Sequence, residues 1–249
     1  MKVAVVVPTF NEAENLPPFV SALLSLQLDL KVLIVDDHSP DGTGSIADRL
    51  MRSKPDRMDV MHRPGKSGFA SAYLEGFRRV LNNGAEAVVQ IDADFSHDPA
   101  VLPDMVKQIE KADLVIGSRY IPGGSVDIHW PAWRKGLSAF GNFYSRTILG
   151  IPIRDVTTGY RVWRREPLLR MPLERVRSSG YVFQVEMAYL AYCLGYTIVE
   201  SPIYFSDRKH GKSKLTTRIQ AEAALRVWQI WWGYRDLRKA RNIAGRPPI

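Results

Sequence analysis

The chain contains the stretch Ala87-Val88-Val89-Gln90-Ile91-Asp92-Ala93-Asp94, an apolar run that ends in two carboxylates. A second acidic pair, Asp36-Asp37, follows the apolar run Val32-Leu33-Ile34-Val35. Continuous apolar runs predict strands buried on both faces of a parallel sheet, and ligands of such sheets bind beyond the carboxyl ends of the strands. Because Mg²⁺ is usually held by one or two carboxylates together with phosphate oxygens, the two strand ends predict a site for a nucleotide and its metal ion.

The composition is that of a folded protein in a reducing compartment. The 249 residues fit one large α/β domain or two small ones, and 45% hydrophobic with 24% charged residues argue against disorder. The single cysteine, Cys193, cannot form an internal disulfide, and its apolar helical surroundings predict a buried, unreactive thiol. The amino terminus lacks a signal-peptide pattern, and no stretch approaches roughly 18 uninterrupted apolar residues. We therefore expect a cytoplasmic protein, peripheral on the cytosolic face of a membrane if it is membrane-attached.

The positive charge of the chain is concentrated near its carboxyl end. The formal net charge is +8, and residues 208–246 contain 11 Lys and Arg but only two acidic residues, Glu222 and Asp236. The rest of the chain is therefore close to neutral. A basic surface of this kind favours anionic partners, such as a nucleotide, a lipid phosphate, an anionic membrane or nucleic acid.

Apolar runs that alternate with helical patterns predict βαβ units. We expect strands at 3–7, 31–35, 58–62, 87–91, 114–117 and 197–205. We expect helices at 16–26, 45–52, 69–82, 99–111, 130–150, 181–194 and 216–241. This order predicts an α/β fold with a mainly parallel sheet flanked by helices, whose carboxyl edge collects residues 8–12, 36–37 and 92–94.

Short motifs argue against two common nucleotide sites. Residues 8–12 follow the first strand, where a dinucleotide-binding dehydrogenase carries Gly-x-Gly-x-x-Gly, and their sequence Pro-Thr-Phe-Asn-Glu argues against a nicotinamide cofactor. An ordinary turn in which Asn11 caps a helix fits them as well. Two Gly-Lys-Ser triplets, at 65–67 and 211–213, lack the earlier glycine of a phosphate-binding P-loop. The second triplet fits either phosphate binding through Arg208, Lys212 or Lys214, or a solvated basic loop.

Three tryptophans mark the last predicted helix. Trp228, Trp231 and Trp232 share it with the basic residues Arg226, Arg235, Arg238, Lys239 and Arg241. A basic amphipathic helix of this kind fits either a membrane interface or ordinary core packing. Stacking on single-stranded nucleic acid is a third use of such aromatics, but the sequence contains no recognition module to accompany it. We expect no nucleic-acid partner.

Seven segments form an ordered set of motifs along the chain. They read Val-Pro-Thr-Phe-Asn-Glu (7–12), Val-Asp-Asp-His-Ser-Pro-Asp-Gly-Thr (35–43), Asp-Ala-Asp-Phe-Ser-His-Asp-Pro (92–99), Gly-Ser-Arg-Tyr (117–120), Asp-Val-Thr-Thr-Gly-Tyr-Arg (155–161), Gly-Tyr-Val-Phe-Gln-Val-Glu-Met (180–187) and Asp-Arg-Lys-His-Gly-Lys-Ser-Lys (207–214). In this order, over about residues 3–215, they resemble family 2 glycosyltransferases with the GT-A (nucleotide-diphospho-sugar transferase) fold. Within that family they are most similar to the polyprenol-phosphate (dolichol-phosphate) mannose synthases.

The resemblance implies a role for each matching residue. The nucleoside part of the donor would lie against Pro8, Phe10, Glu12, Val35 and Asp37. The nucleotide sugar would be held by Asp92, Ala93 and Asp94. Mg²⁺ or Mn²⁺ would bind at Asp94 and Ser96. Phosphate of the donor or the acceptor would be bound by Arg119, Arg208 and Lys214. The catalytic residues would be Asp94, Arg119 and Arg208, and the lipid phosphate would meet Arg134 and Ser138.

Two positions differ from what the family often carries. Phe10 stands where relatives often have Tyr, which removes one hydroxyl and keeps the ring. Ser96 stands where relatives carry Gln, so a short hydroxyl replaces an amide.

The resemblance implies inverting transfer of mannose from GDP-α-mannose to a polyprenyl phosphate, which gives a β-linked product. A divalent cation and basic side chains would stabilise the leaving diphosphate, and the acceptor phosphate is already anionic, so it needs positioning more than deprotonation. One alternative is the same reaction with UDP-glucose or another nucleotide sugar. Another is a non-catalytic nucleotide-binding or membrane-scaffold protein, against which the intact set Asp92, Asp94, Arg119 and Arg208 argues.

The resemblance also divides the chain into two parts. Residues 1–215 would form the GT-A catalytic domain, and residues 216–249 an amphipathic, Trp-rich helix and tail. Some relatives carry transmembrane helices after the catalytic domain, and this chain has no such stretch. Its last helix would instead attach the protein reversibly to the membrane surface, with a membrane protein as a further partner.

Overall fold

A computed structural model describes residues 1–207 and 217–243, with side chains for residues 1–207 and 222–241. The strands within these ranges are β1 Val3–Thr9, β2 Leu30–Asp36, β3 Met58–His62, β4 Ala87–Gln90, β5 Leu114–Ser118, β6 Ser125–Val126, β7 Arg161–Arg164, β8 Ile198–Pro202 and β9 Tyr204–Phe205. The helices are α1 Leu16–Leu24, α2 Thr43–Ser53, α3 Phe69–Asn82, α4 Leu102–Gln108, α5 Ala132–Leu149, α6 Arg165–Arg170, α7 Gly180–Cys193, α8 Thr217–Gly233 and α9 Arg235–Ile243.

A seven-stranded sheet forms the centre of the molecule, with strands in the order β3-β2-β1-β4-β7-β5-β8. Neighbouring strands are parallel, except that β7 runs antiparallel to both β4 and β5. The predicted mainly parallel sheet is therefore confirmed. The carboxyl ends of β1, β2, β3, β4, β5 and β8 all lie at one edge, and β7 begins at that same edge.

Helices cover both faces of this sheet. Val5 and Ile34 belong to a core that includes α1, α2 and α4, whereas Val6 and Leu33 belong to a second core that includes α3, α7 and α8. Successive strand residues point to opposite faces, and here both faces are buried. This is why the strand sequences are continuous apolar runs rather than alternating ones. Cys193 lies buried in the second core, as predicted.

The strand β7 lies outside the sequence-based expectations. It is only four residues long and has arginine at both ends, which is typical of a surface segment. Arg161 is nevertheless fully buried. Its Nε donates to the carbonyl oxygen of Thr158 at 3.1 Å and its Nη2 to that of Val156 at 2.9 Å. Two backbone acceptors thus allow a charged residue to begin a central strand.

The strand predicted at 197–205 is divided between two sheets. β8 ends at Pro202, and β9 pairs instead with β6 in a separate two-stranded sheet. Proline has no backbone N–H to continue a ladder, so the chain leaves the central sheet at this point. The small sheet brings Phe205 beside His97, with which it forms an isolated antiparallel bridge.

The helix predicted at 216–241 is interrupted at Tyr234, between α8 and α9. Val227, Ile230 and Tyr234 are buried in the second core, and Trp231 packs against it. The opposite side of α8 exposes Trp228 and Trp232. One helix therefore combines core packing with an exposed aromatic side. Among the described residues, no helix has the length and apolar character needed to cross a bilayer.

Candidate active site

The carboxyl edge of the sheet gathers the motifs that the sequence places after strands. The turns after β1, β2 and β4 each contain a non-glycine residue with a left-handed backbone: Asn11 (φ 62°), His38 (φ 62°) and Phe95 (φ 59°). This conformation costs free energy and is concentrated at functional sites. Because β7 is antiparallel, the segment 155–160 that precedes it reaches the same edge.

The turns after β1 and β2 are joined by hydrogen bonds. The backbone N–H of Asn11 donates to Ser39 Oγ at 3.1 Å, and that of Glu12 donates to Thr43 Oγ1 at 2.9 Å. Pro8 and Phe10 are half-buried in this region. The side chain of Val35 is fully buried in the core, so a nucleoside could meet Val35 only through its backbone.

Asp37 is buried and holds the loop that follows β3. Its Oδ1 accepts from Arg63 Nη1 at 2.6 Å and from the backbone N–H of Ser67 at 3.0 Å. Its Oδ2 accepts from the backbone N–H of Gly68 at 2.9 Å. Arg63 also pairs with Glu75 at 2.8 Å. Asp37, predicted to hold the nucleoside, is thus also an anchor for residues 63–68.

The turn after β4 presents Asp92, Ala93, Asp94 and Ser96 together, as the sequence predicts. Asp94 is buried, and its Oδ1 accepts from the backbone N–H of Ser96 at 3.0 Å. Ser96 is 2% exposed, and its Oγ makes no hydrogen bond with any described residue. A buried hydroxyl without a partner is rare in proteins and is often explained by an unplaced ion or water. Ala93 is buried in the core.

These residues fit a divalent cation that completes its coordination with phosphate. The described residues contain no group of three or more His, Cys, Asp or Glu side chains able to hold a metal ion. Mg²⁺ commonly uses only one or two protein carboxylates, with substrate phosphates supplying further oxygens. Asp94 and Ser96 offer a carboxylate and a hydroxyl of this kind.

Tyr73 of α3 lies beneath Asp92, and no sequence motif marks it. Its hydroxyl donates to Asp92 Oδ1 at 3.0 Å. Burial, and then the charge of Asp92, raise the pKa of Tyr73 well above its usual value. The phenol therefore stays protonated and keeps donating. A Cβ added at Gly159 would lie 3.5 Å from Asp92 Oδ2 and 3.4 Å from Gln184 Nε2, so a glycine keeps this space open.

Arg119, at the end of β5, is locked by Asp155. Its Nε and Nη2 donate to the two oxygens of Asp155 at 2.7 and 2.8 Å, and Nη2 also donates to Thr157 Oγ1 at 2.7 Å. Burial alone would lower the pKa of Arg119 and raise that of Asp155. Their mutual attraction reverses both effects, so the pKa of Arg119 is raised and that of Asp155 lowered. The side-chain hydrogen bonds to Asp155 and Thr157 use Nε and Nη2 but not Nη1.

The predicted acceptor residues Arg134 and Ser138 lie one turn apart on α5. Ser138 Oγ accepts from the hydroxyl of Tyr120 at 2.7 Å, and Tyr120 is the residue after Arg119. Arg134 Nη1 donates to Asp207 Oδ1 at 3.0 Å. The structure therefore brings Ser138 to the neighbourhood of Arg119. Arg208 and Lys214, also predicted as phosphate-binding residues, lie outside the described residues.

Asn142 attaches α5 to the segment that holds Arg119. Its Nδ2 donates to Thr157 Oγ1 at 3.0 Å, and its Oδ1 accepts from the backbone N–H of Val156 at 2.9 Å. Sequence reasoning missed Asn142 as well as Arg63 and Tyr73. Each acts through a partner at least 14 residues away, and no local pattern marks such a pair. Asp155 belongs to one of the sequence motifs, but its role as the partner of Arg119 is visible only in the fold.

The mainly parallel sheet flanked by helices, with an acidic turn at its carboxyl edge, is consistent with the GT-A fold of nucleotide-sugar transferases. The chain belongs to glycosyl transferase family 2, whose family model matches residues 4–171. It is 44% identical over 241 residues to the polyprenol monophosphomannose synthase of Mycolicibacterium smegmatis, covering 96% of this chain and 90% of that one. It is 42% identical over 233 residues to the undecaprenyl-phosphate mannosyltransferase of Micrococcus luteus, covering 94% of each chain.

Solved structures of low sequence identity share the fold. Glucosyl-3-phosphoglycerate synthase from Mycobacterium tuberculosis, in complex with Mn²⁺, UDP and glucosyl-3-phosphoglycerate, matches with a TM-score of 0.61 and 18% identity over 92% of this chain and 78% of that one. A mannosyltransferase from Pyrobaculum calidifontis, in complex with GDP-Man and Mn²⁺, matches with a TM-score of 0.57 and 18% identity over 99% of this chain and 76% of that one. The predicted GT-A fold and family are therefore confirmed.

Proposed function

We propose that this glycosyltransferase moves mannose from GDP-mannose to a polyprenyl phosphate, with inversion at the anomeric carbon and a divalent cation bound at Asp94 and Ser96. The observation that carries the proposal is that the Asp92–Ser96 turn and Arg119 follow β4 and β5 at the same edge of the sheet. Two relatives above 40% identity, named as transferring mannose to polyprenol-type lipids, support the choice of sugar and acceptor.

The chain's own residues would organise the leaving group. A divalent cation, Mg²⁺ or Mn²⁺, neutralises negative charge on a diphosphate when it is bound. Asp94 and Ser96 would orient the diphosphate end of the donor through this ion. Arg119 offers Nη1 from a guanidinium that Asp155 fixes in place. Because that charge is held before the donor arrives, it stabilises the departing diphosphate without reorganisation.

Residues of α5 would position the acceptor. The phosphate of the lipid is anionic near neutral pH, so it needs an oxygen aimed at the anomeric carbon more than a general base. Arg134 supplies a cation, and Ser138 supplies a hydroxyl that Tyr120 orients. Tyr120 follows Arg119 directly, so the acceptor groups stand next to the diphosphate groups. The expected product is a β-linked mannosyl phosphate lipid.

Two helices that contact one another, α5 and α8, carry an exposed aromatic face. Such a face is consistent with a lipid acceptor. This aromatic face consists of Trp133, Phe140 and Phe143 on α5 and Trp228 and Trp232 on α8, and α8 also exposes Leu225. Trp228 Nε1 donates to the hydroxyl of Tyr144 at 3.1 Å, which ties the two helices together. Exposed aromatics on basic helices are typical of proteins that lie in a membrane interface. We propose that the aromatic face rests on the lipid surface that carries the acceptor.

The donor and acceptor are tested with purified protein, polyprenyl phosphate in vesicles, and labelled GDP-mannose or UDP-glucose in parallel. We expect lipid-linked product from GDP-mannose with Mg²⁺ or Mn²⁺ and none after chelation by EDTA. If only UDP-glucose gave product, the donor would be UDP-glucose rather than GDP-mannose. Nucleotide binding without turnover of any donor would contradict an enzymatic role and favour the non-catalytic protein.

A further inference from the structure

The triplet Gly65-Lys66-Ser67 lies in the nucleotide region, although it is not a P-loop. Lys66 Nζ sits 3.7 Å from the centroid of the Phe10 ring, within the range of a cation–π interaction. Phe10 belongs to the turn after β1, and Lys66 to the loop after β3. The contact therefore spans the end of β2, which lies between β1 and β3 in the sheet, in the part of the carboxyl edge where the nucleoside is expected.

The backbone that carries Lys66 is held in place while its side chain is exposed. Asp37 accepts hydrogen bonds from both Ser67 N and Gly68 N, and Arg63 N donates to the carbonyl oxygen of Asp36 at 3.0 Å. The Lys66 side chain is exposed, and its ammonium pairs with no carboxylate among the described residues. Asp37 thus holds the backbone next to Lys66 in place, while the exposed side chain of Lys66 can still move.

The interaction that keeps the ammonium on the ring is weak. A cation over an aromatic ring contributes less at an exposed site than at a desolvated one. An aromatic base that stacks on the ring face beneath the ammonium takes the place of the ammonium. A bound base would therefore displace the ammonium from the ring, and the anchored loop keeps the displaced ammonium near the edge of that base.

We propose that Lys66 selects the base of the donor, by donating two hydrogen bonds to O6 and N7 of guanine once the base has displaced it from Phe10. This inference rests on the proposed function and assigns the base specificity of the same site. Guanine presents two adjacent acceptors, and a lysine or arginine that contacts both is the commonest specific contact to this base. Adenine replaces O6 by an amino donor, and uracil offers no N7. Lys66 thus favours GDP-linked over UDP- or ADP-linked sugars.

The test compares nucleotide binding by the full-length wild-type protein and by Lys66→Met, which keeps an unbranched side chain one atom shorter and removes the charge. Calorimetric titrations use GDP, 7-deaza-GDP, ADP and UDP, each with Mn²⁺. We expect Lys66→Met to weaken GDP binding about 10-fold, within the range that a two-acceptor contact gives. UDP binding should change by less than about twofold.

The analogue isolates the proposed contact from general electrostatics. 7-Deaza-GDP lacks the N7 acceptor, so the wild-type protein should bind it more weakly than GDP, and this difference should vanish in Lys66→Met. A matched control, Lys111→Met, removes an exposed lysine beyond α4, at the opposite edge of the sheet. It should leave all four affinities unchanged.

The results separate this inference from the proposed function. If the wild-type protein prefers GDP and Lys66→Met retains both that preference and the sensitivity to 7-deaza substitution, Lys66 does not read the base, while the proposed donor stands. An equal loss for GDP, ADP and UDP would also overturn base selection, because it indicates a contact with phosphate. A wild-type protein without preference for GDP would contradict the proposed donor itself and this assignment with it.

Discussion

The two halves of the sheet's carboxyl edge differ in how completely the polar atoms of their buried side chains are hydrogen-bonded within the protein. In the first half, formed by β1, β2 and β3, Asp37 accepts three hydrogen bonds from the loop after β3. In the second half, formed by β4, β5 and β7, buried side chains carry polar atoms that bond to no other described residue. These side chains are Ser96, Tyr160, Arg161 and Gln184.

The second half therefore has hydrogen-bonding capacity that the described residues do not use. An unsatisfied buried polar group costs about 1–3 kcal/mol, so each such group calls for an explanation, such as a ligand, an ion or a water molecule. Burial lowers the pKa of Arg161 to about 9, with the nearby Asp155 opposing that shift. We therefore expect Asp94→Asn, in the second half, mainly to reduce turnover, and Asp37→Asn, in the first half, to reduce stability.

The largest effect is expected at Asp94, in the second half. Asp94→Asn keeps the size of the side chain and removes the charge that would attract the cation. Transfer from GDP-mannose to polyprenyl phosphate should fall about 100-fold or more, the scale of losing one electrostatic contact to a developing charge. The free energy of unfolding should change by less than about 1 kcal/mol. Initial rates at several Mn²⁺ concentrations, together with urea denaturation, measure both quantities.

Asp104→Asn provides the matched control, because Asp104 is an exposed residue of α4 whose only ion pair is with Lys107 at 3.8 Å among the described residues. Its rate should equal that of the wild-type protein. If Asp94→Asn turned over as fast as the control at every Mn²⁺ concentration, Asp94 would not bind the metal ion. The proposed contrast between the two halves of the carboxyl edge would then fail.

A smaller effect, on stability, is expected at Asp37 in the first half. The Asp37 and Arg63 side chains are only 7% and 3% exposed, so Asp37→Asn leaves a buried guanidinium with Glu75 as its remaining carboxylate. We expect a loss of about 2 kcal/mol, in the range of a hydrogen bond to a charged group. Urea denaturation monitored by tryptophan fluorescence gives the value.

Asp59→Asn is the control for this measurement. Asp59 pairs with the half-exposed Arg79 at 2.9 Å, and surface ion pairs contribute only about 0–1 kcal/mol. The comparison fails if Asp37→Asn is no more destabilising than Asp59→Asn. Weaker GDP binding by Asp37→Asn would add to the comparison, because Asp37 holds the loop that carries Lys66.

The parallel sheet and its acidic edge are predictable from the sequence because both have local signals. A strand buried on both faces is a continuous apolar run, and the aspartates that follow it are adjacent in sequence. The turn from Asp92 to Ser96 therefore lies at the strand end where its sequence places it. The same holds for Arg119, which directly follows β5.

The partners of these residues could not be predicted, because they come from distant parts of the chain. Asp155 and Arg119 are 36 residues apart, and Arg63 and Asp37 are 26 apart. An arginine beside a short apolar run is typical of the surface, so the sequence does not predict the burial of Arg63 or Arg161. The burial of these arginines becomes apparent only in the folded structure, where an opposite charge or carbonyl oxygens lie beside the guanidinium.

The two sides of α8 offer a second comparison, between a tryptophan packed on the core and two exposed ones. This comparison gives the smallest expected effect. Trp231 packs against the core, whereas Trp228 and Trp232 are 52% and 61% exposed. Replacing the two exposed tryptophans together by alanine should weaken flotation with anionic vesicles about 10-fold, if roughly 50–60 Å² of apolar surface is withdrawn from lipid. Trp231→Ala should instead lower the free energy of unfolding and leave vesicle binding of the folded protein unchanged. Equal flotation of the double variant and the wild-type protein would assign these tryptophans to a protein contact, and the aromatic face would no longer support a lipid surface.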